Sequence, residues 1–84
     1  MPYVMKSVRP RIEPHMGSMA MSSGELNYQI TRLCVGYLDR HGLRYFTLND
    51  IIGALECAKM ELYRRVAAPY EDEKIKENGD VYDI

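Results

Sequence analysis

Two stretches of the chain carry apolar residues at three- and four-residue spacing, and each opens on a helix-start pattern. That recurrence sets the fold class before anything else, because it marks one dry and one wet face of an amphipathic helix. The first stretch begins at Ser22-x-x-Glu25, a capping box in which hydroxyl and carboxylate satisfy orphan backbone donors reciprocally. Leu26, Ile30, Leu33, Cys34, Tyr37 and Leu38 follow on one face, and Arg40 and His41 place positive charge at the negative end of the dipole. Gly42 then offers a C′ residue in the left-handed conformation, so a helix is predicted over Ser23–His41. The second stretch starts at Thr47-x-x-Asp50 and carries Leu48, Ile52, Leu55, Leu62, Tyr63 and Val66, flanked by Ile51 and Ala58. Pro69 limits it, because the residue before a proline is pushed out of the α region, and a helix is predicted over 48–68. The joint at 42–46 is short, which favours antiparallel neighbours. The expected fold class is all-α, a two-helix antiparallel hairpin with short N-terminal and C-terminal helical segments.

Around that core, residues 1–21 read as an N-terminal arm. Pro2, Pro10, Pro14 and Gly17 interrupt any long helix, and Met16, Met19 and Met21 offer adaptable apolar contacts. One short helix fits after Pro10 or Pro14. Residues 22–68 form the helical hairpin, and 69–84 a charged tail. In the tail, Pro69 at a first helical position, acids at 71–73, Lys74 and Lys76, and an Asn78-Gly79 stop spell a short helix. An extended end follows over 80–84.

With 84 residues there is at most one domain, and a marginal one. A chain of this size buries only ~60% of the surface it exposes unfolded, so small scaffolds lean on a disulfide, a metal or a partner chain. Apolar residues make up 46% of the sequence, which argues against disorder along its whole length. Seven Tyr against one Phe and no Trp suit half-buried positions and interfaces. A formal net charge of −1 removes the electrostatic footprint of a nucleic-acid or acidic-membrane binder. Neither nucleic acid nor membrane is therefore an expected partner. Cys34 and Cys57 match no zinc spacing and read as reduced thiols of a cytoplasmic protein, with a disulfide as the lesser alternative. No apolar run approaches the ~20 residues that span a bilayer.

Several residues depart from the plain amphipathic pattern. At ~100° per residue Lys59 falls within the apolar stripe of the second helix, where it must snorkel, pair with Glu56 or hold a ligand. The first two, structural, readings are preferred. The opposite side of that helix carries Gly53, Cys57 and Met60, and a small residue at Gly53 lets another backbone approach. The first helix has a similar second face in Tyr28 and Val35. These five residues are the candidate self-association surface of a homo-oligomer. Arg64 and Arg65, with Tyr70 and Lys74, are the candidate anion or nucleotide site, since guanidiniums bind phosphate or carboxylate bidentately. Helix-end charge and pairing with Glu61 explain the arginines equally simply, and that plainer reading is preferred.

Catalytic constellations are poor. His15 and His41 lie on different segments, Ser22 has a capping role, and no phosphate loop, nucleophile elbow or HExxH pattern is present. Glu77 and Asp80 have the spacing of an acidic metal pair, but Asn78-Gly79 between them breaks helix geometry. No catalytic residue, cofactor or metal is assigned. A helix-turn-helix DNA reader is discounted because Asp50 and Glu56 put acid where base contacts would be made.

The segments GELNYQIT (24–31), LECAKMELYRR (55–65) and PYEDEKIKENGDVY (69–82) are spread over the chain from Gly24 onward, with MPY at the start and a divergent stretch over 4–23. Through them it resembles a family of small uncharacterised proteins found in tailed bacteriophages and bacterial genomes. The resemblance implies a phage or prophage setting in a host bacterial cytoplasm, and it implies no activity. The expected function is a non-enzymatic accessory protein that self-associates and binds a host or phage macromolecule. An anion- or nucleotide-binding module is the alternative, and an enzyme whose site is assembled between chains comes third.

Overall fold

The structure is a computed structural model describing residues 2–17 and 19–82. Parts of the arm and tail expectations, at residues 1, 18, 83 and 84, lie outside it. Helix α1 (Arg9–Ile12) leads into a 3-10 turn at Glu13–His15, and α2 spans Ser23–His41. Helix α3 (Tyr45–Leu62) passes through a π-helical turn at Tyr63–Ala67 into α4 (Ala68–Asn78). The described residues contain helices and no strand, so the chain is all-α.

The first long helix has the predicted bounds. Ser22 is extended (φ −151°, ψ 164°), and its hydroxyl accepts from the Glu25 amide at 3.2 Å. The return bond of the capping box reaches one residue further out, because Glu25 Oε1 accepts from the Met21 amide at 3.3 Å. At the other end Gly42 takes φ +87° with ψ 157° and donates to the Leu38 carbonyl at 2.8 Å. That backbone region is open to glycine and strained for other residues, and its extended ψ differs from the left-handed helical cap expected.

The second long helix corrects the expectation at both ends. It begins at Tyr45 with Arg44 as an N-cap that makes no side-chain cap bond. Thr47 is therefore inside the first turn and fully buried, and Asp50 accepts a hydrogen bond from the Tyr37 hydroxyl at 3.1 Å. Pro69 does not stop the helix. Proline has no amide to give the carbonyl four residues back, and its ring clashes with it. Just ahead of that defect the ladder widens, and the Ala68 amide donates to Tyr63 O, five residues back. Ala68 stays right-handed helical at φ −62° and ψ −47°, so helical structure runs unbroken from Tyr45 to Asn78. A separate hairpin followed by a separate tail helix is not what forms.

The helices touch near the Gly42 turn and leave most of their apolar surface uncovered. Among the described residues no apolar side chain is buried, and Thr47 is the single buried residue. Cys34, Val35, Leu38 and Ile51 are half-buried. The centres of both predicted stripes are exposed: Leu26, Ile30 and Leu33 on α2, and Leu48, Ile52 and Leu55 on α3. The Cα radius of gyration is 17.0 Å, against ~12 Å for a compact domain of this length.

Candidate functional site

Polar contacts concentrate where the helix widens at Tyr63–Ala67. π-turns inside helices are rare and recur at functional sites. On the preceding turn Glu61 is the convergence point, its side chain 15% exposed. Its Oε1 accepts from the Tyr3 hydroxyl at 2.7 Å and from Arg64 Nη2 at 2.6 Å. Arg65 Nη1 lies 4.0 Å from the same oxygen and donates to the Tyr3 hydroxyl at 3.5 Å. Tyr3 thus ties the N-terminal arm to the far end of α3. From the first residue of the wide turn the Tyr63 hydroxyl donates to Glu71 Oε1 at 2.5 Å, bracing the turn against α4.

The ionisation of these groups follows from their partners. Hydrogen bonding from Tyr3, and then from Arg64, holds the Glu61 carboxyl below the usual carboxylate range. The Tyr3 hydroxyl is pushed up because ionising it would end its hydrogen bond to Glu61. Tyr63 is raised in the same way by Glu71, and Tyr37 by Asp50.

The residues singled out from sequence divide between this cluster and plain solvent. Lys59 is 73% exposed and pairs with Glu56 at 3.1 Å, the structural arrangement preferred for it. Arg64 and Arg65 meet at Glu61. Tyr70 and Lys74 form a separate pair, with the ammonium 5.4 Å from the ring centroid and 3.2 Å from Glu77. Among the described residues no hydrogen bond or ion pair joins the two arginines to that pair. Tyr28, Gly53, Cys57 and Met60 are exposed, Val35 is half-buried, and a Cβ added at Gly53 would meet open space. Cys34 and Cys57 are free thiols. His41 packs on Tyr37 with ring centroids 4.2 Å apart, and His15 lines an open groove of about 500 Å³ beside Leu26 and Leu33. Glu77 is taken by Lys74, and Asp80 accepts from the Tyr82 amide at 2.8 Å. Among the described residues no group of three or more His, Cys, Asp or Glu is placed to hold a metal ion.

Sequence reasoning missed Tyr3 altogether. Glu61 was legible through its three- and four-residue spacing to Arg64 and Arg65. Nothing local announces a contact spanning from residue 3 to residue 61.

The fold and this cluster define an open, all-helical chain with exposed apolar stripes and a polar clasp at a π-turn. The chain belongs to the family described as a domain of unknown function (DUF6899), whose model matches residues 1–81. No curated protein and no solved structure matches it. Among the described residues no helix is long and apolar enough to cross a membrane.

Proposed function

We propose that this is a small, non-enzymatic accessory protein that self-associates and acts by binding another macromolecule. The observation that carries the reading is the absence, among the described residues, of any buried apolar side chain. Surface of that kind is usually covered by a partner. In the assembled form α2 and α3 close as the antiparallel pair that their short connection favours. The second helix faces, with Tyr28, Val35, Gly53, Cys57 and Met60, are candidate contact surfaces of that assembly beside the apolar stripes themselves. The sequence resemblance supplies the setting, a phage or prophage protein in the cytoplasm of a bacterial host, with a host or phage protein as partner.

The test is cross-linking and recovery of the full-length chain from bacterial cells, infected and uninfected, followed by rebinding of any stoichiometric partner in purified form. A partner that rebinds supports the proposal. Recovery of the chain with no other stoichiometric macromolecule in either condition counts against it.

One observation favours a second reading, an anion- or nucleotide-binding module. Arg64 and Arg65 converge on one carboxylate oxygen while their side chains stay 67% and 61% exposed. A phosphate competing with Glu61 would engage both, with Tyr70 on the next turn or two and Lys74 a further turn along. Thermal shift against a nucleotide panel decides it, because a ligand at ~100 times its dissociation constant adds ~2.7 kcal/mol. A flat response to every phosphate compound ends this reading.

A further inference from the structure

The self-associating reading leaves open which faces meet, and the exposed area narrows the choice. The chain exposes 7901 Å², whereas a folded monomer of 9.7 kDa is expected to expose ~5,100 Å². The excess is ~2,800 Å², and a standard interface removes only ~800 Å² from each partner. Apolar rows at the centre of this surplus are Leu26, Ile30 and Leu33 on α2 and Leu48, Ile52 and Leu55 on α3.

We infer that a second copy of this chain covers the α2 and α3 stripes, so that the faces patterned as a core become an intermolecular core. The inference rests on the proposed self-association and adds the surface that carries it. Three features select a second copy as the occupant. The area is large enough for an extensive dimer interface and too large to leave wet. Each chain presents two like rows of branched aliphatic side chains at helical spacing, and such rows pack against one another ridge into groove. A two-fold axis would pair them isologously, with the same patch on both chains. The net charge of −1 sets almost no long-range repulsion between copies. In such a dimer Tyr28, Gly53 and Met60, on the opposite helix faces, stay at the outer surface for a further partner.

Light scattering and urea unfolding of the full chain over a wide concentration range read the outcome. The expected result is a dimer whose unfolding midpoint rises with protein concentration. The informative variants are Leu33→Asp and Ile52→Asp. Both side chains are exposed in the isolated chain, at 71% and 65%, so a charge there meets water and costs little. In the dimer the same charge enters an apolar layer, and each variant is expected to weaken association at least 100-fold. A monomeric natural chain overturns both this inference and the self-association beneath it. Unchanged association of both variants, with dissociation by Tyr28→Asp, overturns this inference alone and moves the interface to the opposite faces. Isotope-filtered NMR on mixed labelled and unlabelled chains covers the case where a variant does not fold. Intermolecular cross-peaks between Leu33 and Leu55 methyls are expected, and their absence in a dimeric sample rejects the stripe interface.

Discussion

Gly42 and Pro69 belong to the two residue types most associated with helix ends, and the chain treats them in opposite ways. At Gly42 the backbone leaves helical space, at φ +87° and ψ 157°, and Arg44 is extended before α3 begins. At Pro69 the residues before the ring stay helical, and one widened turn absorbs the missing donor. Ending a helix therefore takes a committed change of backbone conformation. Losing one hydrogen bond is a defect that a long helix repairs locally. The difference decides the architecture, because the glycine divides the helical path in two while the proline leaves α3 and α4 as one continuous arm.

The comparison can be broken most forcefully at the glycine. Gly42→Ala forces a side chain into a region that costs about 1–3 kcal/mol, and urea unfolding should register a loss of that size. A loss of only a few tenths would show that the turn does not depend on this conformation. At the other site, Pro69→Ala restores the amide and removes the ring clash. It should convert the π-turn to ordinary α-helix and stabilise the chain by less than the ~3 kcal/mol of an interior proline. Backbone NMR shifts over residues 63–68 that match the natural chain would mean that the wide turn has another cause.

A smaller effect is expected from Glu61→Gln, which weakens the clasp beside the wide turn. Amide exchange over residues 3–12 should accelerate while exchange in α2 stays unchanged. The same clasp sets a pH window through Tyr3, Glu61, Arg64 and Arg65. Glu61 is depressed by its hydrogen bonds, so its contribution is present above the normal glutamate range and is lost as pH falls through the lowered value. Tyr3 is raised, so its contribution persists below the normal tyrosine range and is lost as pH climbs past the raised value. Arm protection that stays constant through the acid limb would remove Glu61 from this role. The smallest effect belongs to Lys59→Ala, about 0.3 kcal/mol or less, because its pair with Glu56 is solvated.

What the sequence disclosed depended on how far apart the interacting residues are. The bounds of α2 were legible because Ser22, Glu25 and Gly42 act within a few residues of the ends they define. The start of α3 was misread because Thr47-x-x-Asp50 satisfies the capping pattern, yet Thr47 is buried without a hydrogen-bond partner for its hydroxyl. Packing beside the turn outweighed the local preference there. Lys59 was legible through Glu56 at three-residue spacing. The clasp was not, because a tyrosine near one end of the chain carries no mark of a glutamate 58 positions away. Apolar periodicity identified the stripes, and it is silent on whether their cover comes from the same chain or another.

The wide turn at Tyr63–Ala67 also sets the phase of everything beyond it. A π-turn is what an α-helix becomes when it accommodates one surplus residue, which offsets later side chains by roughly 100° about the axis. Tyr70, which an uninterrupted α-helical count would place in line with Ile52, is therefore carried off the row begun by Leu48, Ile52 and Leu55. A relative shorter by one residue in this stretch would aim its acidic, lysine-bearing end in a different direction while keeping the composition of both helices. Length in this segment, as much as identity, determines what the far end of the molecule presents to its surroundings.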